Sequence, residues 1–274
     1  MPQFNCNRGI LMESNIISYP KVKILLFLTT VIAALGLVVR QFPQTSGEHQ
    51  QPPQFMPDEI LTHLKQGNQR FVDGRREFRH LDKEHIAKTA KAQTPVAAIL
   101  SCSDSRVPVE HIFDVGIGDL FVIRVAGNVC SDHEDASIDY AVNYLKTPLV
   151  VILGHTHCGA VTAVVEHGKL DGKISQIAEH IIPALHDAEA DTAPALYDAE
   201  AYTACDHDGL IDTTVRFNVR TAMADLLKAS PKLREQIALG SLKVIGAIYD
   251  LGTGRVEWLE PEAGAPAVAA TSHR

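Results

Sequence analysis

The sequence has little cysteine and no surplus of positive charge, and each shortage excludes a class of protein. Five cysteines in 274 residues are too few for a disulfide scaffold, and none has the C-x-x-C spacing of a zinc ribbon or thioredoxin-like site. Acidic residues outnumber basic ones by 33 to 25, giving a formal charge of −8. Nucleic acid is therefore not an expected partner, and a small neutral or anionic substrate fits better.

Long apolar runs are also scarce, and the one near the N-terminus predicts export. Residues 24–39 form an uncharged stretch of 16 residues, shorter than the ~20 that span a bilayer as a helix. Lys21 and Lys23 precede it, which is the layout of a signal peptide. We predict that residues 1–36 are removed as a signal peptide or, alternatively, that residues 24–39 remain as a membrane anchor. Either outcome leaves the folded domain outside the cytoplasm, which in a bacterium means the periplasm.

The remaining chain predicts one globular domain at residues 56–260, between a polar linker at 37–55 and a disordered tail at 261–274. Three short runs, at 96–100, 120–125 and 149–153, are continuously apolar instead of alternating, apart from one arginine at position 124. Such strands are buried on both faces, so the pattern predicts an α/β fold with a largely parallel sheet flanked by helices.

Helical periodicity and turn residues supply the other elements. The predicted helices cover 59–71, 134–146, 160–167, 174–186 and 213–229, and two further strands cover 242–251 and 256–259. The acidic, alanine-rich residues 188–208 are expected to form a surface excursion.

Cys102, His155 and Cys158 form the most informative group of residues. Cys102 follows the predicted strand 96–100 and His155 follows 149–153, and the carboxyl ends of parallel strands meet at one edge of a sheet. Cys158 comes at the start of a helix, where amide dipoles favour a thiolate. Two cysteines and a histidine are zinc-type ligands, and three protein ligands leave a fourth position for water, which is typical of a catalytic site.

Asp104 and Arg106 lie beside the first of these cysteines. A carboxylate there can accept a hydrogen bond from metal-bound water while a guanidinium holds it in a bidentate fork. The alternative is an ordinary surface salt bridge, which would contribute little to stability.

Other cysteines and histidines are weaker candidates for chemistry. Cys130 and Cys205 are expected to be small buried side chains, with a disulfide between them as the alternative in an exported protein. His157 is adjacent to Cys158 and so is a poor additional ligand, but a proton-shuttle role stays open for it, as it does for His111 and His133.

Four motifs together resemble those of the β-class carbonic anhydrases. They are Cys-Ser-Asp-Ser-Arg at 102–106, Asp-Leu-Phe-Val-Ile-Arg-Val-Ala-Gly-Asn at 119–128, Gly-His-Thr-His-Cys-Gly at 154–159 and Tyr-Asp-Leu-Gly-Thr-Gly at 249–254. The resemblance extends over about residues 56–259. It implies the fold of that family and one zinc ion per subunit, bound by Cys102, His155 and Cys158.

The same resemblance implies roles for the remaining site residues. Asp104 and Arg106 would form the catalytic dyad, and Gly159 would offer a backbone donor to the substrate. In some members the equivalent aspartate moves onto zinc at low pH, which makes Asp104 an alternate ligand. The implied assembly is a homodimer or tetramer, with membrane contact only if the N-terminal segment is retained.

The implied activity is the reversible hydration of carbon dioxide to bicarbonate and a proton by a zinc-bound hydroxide. Two alternatives stay open. One is hydrolysis of carbonyl sulfide or carbon disulfide on the same zinc site, and the other is a noncatalytic zinc-bearing sensor, although the presence of Asp104 and Arg106 does not favour the latter.

Overall fold

The computed structural model describes residues 56–168, 170–196 and 204–259. Within these ranges the strands are β1 (Ala97–Cys102), β2 (Leu120–Val125), β3 (Leu149–His155), β4 (Lys243–Tyr249) and β5 (Val256–Leu259). They form a single sheet in the order β2-β1-β3-β4-β5, in which only β5 runs antiparallel to its neighbour. The predicted α/β class with a largely parallel sheet is confirmed.

Helices cover both faces of this sheet. They are α1 (Pro57–Val72), α2 (Lys83–Thr89), α3 (Val109–Ile112), α4 (Asp132–Asn143), α5 (Gly159–His167), α6 (Ser175–Leu196), α7 (Ala204–Ala229) and α8 (Pro231–Ala238). Short 3-10 turns occupy Ala126–Asn128 and Gly172–Ile174. Each predicted helix has a counterpart here, although several boundaries differ.

Burial of the central strands explains why the sheet is parallel and covered. Every residue of β1 and β3 is buried. Successive side chains point to opposite faces, so Leu100 and Ile152 join one apolar core while Ile99 and Val151 join the other. Burying an aliphatic side chain of this size stabilises the fold by ~1.5–3 kcal/mol. The register is therefore firmly set, and it fixes where β1 and β3 end.

The predicted surface excursion at residues 188–208 is wrong for the part that the structure describes. Helix α6 continues to Leu196, and α7 already begins at Ala204. The reason is that Ile181, Ala184, Leu185 and Ala188 continue one buried stripe at helical spacing, while the acidic residues of this segment lie on the exposed side. Alanine also has the highest helix propensity, so an alanine-rich composition favours helix over loop.

Several predictions fall outside the described residues. The signal peptide or anchor at 1–36, the linker at 37–55 and the tail at 261–274 remain predictions. The alternative of a disulfide between Cys130 and Cys205 does not hold in this structure, because Cys130 is a free thiol. Among the described residues, no helix combines the length and the hydrophobicity needed to cross a bilayer. Cys130 is buried in the core, as expected.

Candidate active site

Three side chains from two strand ends and one helix start meet at the carboxyl edge of the sheet. Cys102 is the last residue of β1, His155 is the last residue of β3, and Cys158 is the N-cap of α5. Their potential ligand atoms all lie within 4.8 Å of one another. All three side chains are buried, with exposed fractions of 4%, 0% and 1%. The predicted convergence is confirmed.

The turn after β3 explains how residues three apart reach one point. His157 has a φ of 52°, in the left-handed region, where histidine is one of the few tolerated side chains. Thr156 anchors the turn, because its N–H donates to the Tyr249 carbonyl at 3.0 Å and its hydroxyl accepts from Leu251 N–H at 3.0 Å. The chain thus reverses between His155 and Cys158 and directs both toward Cys102.

The two sulfurs affect each other's ionisation. The pKa of Cys102 is lowered, chiefly by the hydrogen bond with Cys158 and also by the backbone N–H of Gly127, whose nitrogen is 3.3 Å from the sulfur. That same hydrogen bond, together with burial, raises the pKa of Cys158. Without a cation the pair therefore retains a proton. A divalent metal ion would displace that proton and stabilise both thiolates.

His155 offers a free nitrogen to this cluster. Its Nδ1–H donates to the Thr156 carbonyl at 2.9 Å, which leaves a lone pair on Nε2. Nε2 is buried and has no hydrogen-bond partner among the described residues. A buried nitrogen without a partner costs free energy, and a metal ion would satisfy it. Two thiolates and one imidazole suit zinc, so the residues present fit that ion.

Asp104 and Arg106 form a bidentate pair next to the cluster. Arg106 Nε donates to Asp104 Oδ1 at 2.9 Å and Nη2 donates to Oδ2 at 2.7 Å. This guanidinium is the main cause that holds the pKa of Asp104 far below its usual range. Asp104 Oδ2 also lies 3.9 Å from His155 Nε2. The carboxylate is thus an ionised acceptor, held by arginine and within reach of anything bound to the three ligands.

Gly159 leaves the start of α5 open. A side-chain carbon at this position would meet no atom within 4 Å, apart from its chain neighbours. Its amide is among those at the helix N-terminus, where N–H groups lack intrahelical partners and attract anions. A small anionic ligand therefore has both room and a donor beside Cys158.

Arg124 is a site residue that the sequence reasoning did not single out. Its Nε donates to the Cys102 carbonyl at 3.0 Å, and its Nη2 donates to the Asp104 carbonyl at 2.6 Å. One side chain therefore holds the backbone of both a ligand and the carboxylate. The signal was available, because Arg124 is the sole charge in the otherwise apolar run 120–125.

Asn218 is a second residue that sequence reasoning missed. It is buried on α7 and donates to the Gly127 carbonyl at 2.7 Å. Gly127 has a φ of 71° and lies close to Ile181, so a larger residue does not fit there. No local pattern identifies Asn218, because 91 residues separate it from Gly127.

The other candidate histidines do not join the group formed by Cys102, His155 and Cys158. The His157 carbonyl accepts from Arg106 Nη2 at 3.2 Å. His111 contacts the side chain of Arg76, and His133 is exposed on α4. A shuttle role for any of them remains a prediction.

Known proteins are similar to this chain in sequence and in fold. The sequence profile of the family described as carbonic anhydrase matches residues 97–256. Carbonic anhydrase 2 of Mycobacterium tuberculosis is 38% identical over 198 residues, which cover 70% of this chain and 87% of the relative. A β-carbonic anhydrase of Sordaria macrospora, described as tetrameric, is 26% identical with a TM-score of 0.53 over 73% of this chain and 97% of its own. The Coccomyxa β-carbonic anhydrase, solved with acetazolamide, is 29% identical with a TM-score of 0.55 over 73% and 86%.

Proposed function

The chain belongs to the β-class carbonic anhydrases and is a carbonate dehydratase, and we propose that it performs the reversible hydration of carbon dioxide at the site formed by Cys102, His155 and Cys158. The observation that carries this assignment is the buried, unpartnered Nε2 of His155 facing two cysteine sulfurs. A cation bound between this nitrogen and the two sulfurs would satisfy it.

Cys102, His155 and Cys158 would hold one zinc ion through two sulfurs and Nε2. Bound there, zinc would lower the pKa of water and so supply a hydroxide nucleophile. As thiolates, Cys102 and Cys158 cancel the formal charge of the ion, so the site should acidify water less than a three-histidine site does. We expect kcat to rise toward mildly alkaline pH, and a flat profile between about pH 6 and 9 would contradict this.

Asp104 acts as a hydrogen-bond acceptor that orients the attacking oxygen. Because its pKa lies far below the usual range, it cannot donate a proton under assay conditions. Arg106 fixes the direction of the carboxylate through the fork at 2.9 and 2.7 Å. For Asp104 to become an alternate ligand, that fork must break first.

Gly159 binds the product anion. The N-terminus of α5 favours negative charge, and the space over Gly159 is open. Bicarbonate carries the oxygens that a backbone N–H recognises, whereas carbon dioxide is a weak acceptor. This amide therefore stabilises charge as it develops on the substrate.

An apolar surface beside β2 suggests how copies of the chain assemble. Strand β2 is an edge of the sheet within the described residues, and three exposed apolar side chains lie near it, Ile117, Tyr140 and Tyr144. Phe121 of this strand contacts Tyr140, with ring centroids 6.0 Å apart. An unpaired edge beside exposed aromatics is suited to association. The proposal is a homodimer or tetramer that uses this face, and a monomeric mass for the wild type in sedimentation would contradict it.

Stopped-flow measurement of carbon dioxide hydration tests the function. Zinc-loaded protein should turn over carbon dioxide, and Cys102→Ser should lose both zinc and activity. Cys130→Ser is the matched control, because it makes the same change at a buried cysteine outside the site. Absence of turnover by the wild type, or full activity of Cys102→Ser, would refute the proposal. Assays with carbonyl sulfide and carbon disulfide test the hydrolase alternative.

The location of the domain is proposed from the N-terminal sequence. The apolar stretch at 24–39 with its preceding lysines supports export to the periplasm. N-terminal sequencing of the exported protein tests this, because a start at Leu37 indicates cleavage and an intact N-terminus indicates an anchor.

A further inference from the structure

A second cluster of metal-type ligands lies away from the first. His80, His85 and Asp119 offer one atom each, all within 4.8 Å of one another. Asp119 directly precedes β2, whose other end at Val125 is level with Cys102 of β1. Six residues of strand separate the two levels, which is about 20 Å at 3.3 Å per residue. The second cluster therefore lies at the amino-terminal ends of the parallel strands, whereas the first lies at their carboxyl ends.

Hydrogen bonds orient two of the three side chains as in known metal sites. His85 Nε2–H donates to the Ile117 carbonyl at 2.8 Å, which leaves a lone pair on Nδ1. Metal-binding histidines commonly donate their other ring N–H to a carbonyl in this way. Asp119 Oδ2 accepts from Gly116 N–H at 2.7 Å, so this carboxylate is also held from behind.

His80 completes the group and joins two segments. Its Nδ1 lies 2.8 Å from both oxygens of Asp119, and its carbonyl accepts from Ile117 N–H at 3.2 Å. Its ring stacks on that of His85, with centroids 4.3 Å apart. The three residues thus come from the loop before α2, from α2 itself and from the start of β2.

We propose that His80, His85 and Asp119 bind a second divalent transition-metal ion, with zinc as the first candidate. Imidazole and carboxylate ligands without a thiolate suit zinc, cobalt and nickel. Ligand atoms at ~2.0–2.1 Å from a tetrahedral zinc are ~3.3 Å apart. The His80–Asp119 contact at 2.8 Å would have to open slightly, and the widest separation in the group, which is at most 4.8 Å, would have to close by up to about 1.5 Å. The side chain of His80 is 47% exposed, which leaves its ring free to tilt out of the stack so that the lone pairs converge. The bound ion would tie the segment before α2 to the start of β2.

Metal counting on the full-length protein tests this site. After equilibrium dialysis against micromolar zinc, the wild type should hold two equivalents per chain, and the double variant His80→Gln, His85→Gln should hold one. The matched control changes His167 and His207, which flank Glu166 at 3.6 and 3.9 Å and belong to neither metal-type cluster found among the described residues. This control should keep both equivalents. The double variant should also keep its carbon dioxide hydration.

Cobalt distinguishes the two sites without relying on activity. Cobalt bound to thiolates gives a sulfur-to-metal charge-transfer band, whereas cobalt bound to nitrogen and oxygen does not. Cys102→Ser should lose that band and retain the second equivalent. Asp119→Asn provides a milder change should the double variant fail to fold, and it should weaken the second equivalent at least tenfold.

Three results would overturn the proposal. They are a single equivalent in the wild type, two equivalents in the double variant, or equal loss in the control. In those cases His80 and Asp119 form an ordinary surface pair, which contributes little to the stability of the fold.

Discussion

Replacing Asn218 by alanine tests whether the interior of α7 controls the proposed metal site. Asn218 donates to the Gly127 carbonyl at 2.7 Å, and Gly127 N–H donates to the Cys102 sulfur at 3.3 Å. Asn218 is thus connected to the sulfur of Cys102 through one residue, Gly127. We expect Asn218→Ala to lower both the stability of the fold and the affinity for zinc.

The size of both effects follows from burial and distance. Asn218 is 2% exposed, so its loss leaves the Gly127 carbonyl buried without its partner, at a cost of ~1–3 kcal/mol in the free energy of unfolding. Removing a group that directly holds a ligand typically lowers metal affinity by about 10- to 100-fold. Because Asn218 acts through Gly127, the lower end is expected, about tenfold or ~1.4 kcal/mol.

Asn68→Ala is the matched control. Asn68 is also a buried asparagine, at 6% exposed, and it donates to the Ile112 and Gly254 carbonyls and accepts from Val256 N–H. These partners lie with the other apolar core. This variant should lose at least as much stability while its zinc affinity stays unchanged.

Urea unfolding and competition with a zinc chelator measure the two quantities separately. Urea gives the free energy of unfolding, and the chelator gives the dissociation constant of zinc. If Asn218→Ala and Asn68→Ala lower zinc affinity equally, the effect is general loosening of the fold. If Asn218→Ala leaves the affinity unchanged, the connection through Gly127 carries no energy and the reasoning fails.

Three further predictions concern the site and the core. In Arg106→Gln the pKa of Asp104 should rise toward its ordinary value, because the guanidinium that depresses it is gone. The kcat profile should then gain an additional acidic inflection, below its main rise, that the wild type lacks; a profile without that inflection would argue against the dyad. Arg124→Ala should lower kcat by about 10- to 100-fold through a misplaced Asp104. Its Tm should change little because Arg124 is exposed; a large fall in Tm alongside the fall in kcat would indicate a structural role. Burial raises the pKa of Cys130 to about 12, so iodoacetamide at pH 8 should label it only in denatured protein, as mass spectrometry can check.

The architecture was largely predictable because the central strands carry an unambiguous pattern. Runs such as 149–153 are apolar at every position, and a strand with no polar face must be covered on both sides. The strand order was not predictable, since it depends on pairings between residues far apart in sequence. Lys243, for example, pairs with Leu149 across 94 positions.

The segment after residue 187 is helical because its periodicity outweighs its acidic composition. Its acidic residues suggested a solvated loop, yet Ala188 is fully buried at helical spacing from Ala184 and Ile181. Alanine is small enough to lie in either environment, so its hydrophobicity gives a weak signal. The decisive property is the high helix propensity of alanine, which loses no side-chain entropy in a helix. At a buried position its small side chain also permits close packing.

The convergence of the proposed ligands is predictable for a reason that does not extend to the residues that support them. Cys102 and His155 directly follow strands, so the topology alone brings them together. Arg124 and Asn218 act on backbone carbonyls, and any residue with a donor at the right point in space could do so. Only the folded arrangement selects them.

His157 shows how a residue within a motif can matter through its backbone. The imidazole makes it a candidate proton shuttle from the sequence. Its left-handed φ of 52° is what turns the chain so that His155 and Cys158 face one point, and its carbonyl accepts from Arg106 at 3.2 Å. A β-branched residue there would strain that turn, whereas asparagine or glycine would not. The turn that aligns two of the proposed ligands therefore also supports the arginine that holds Asp104, so one backbone conformation couples the proposed metal site to its carboxylate.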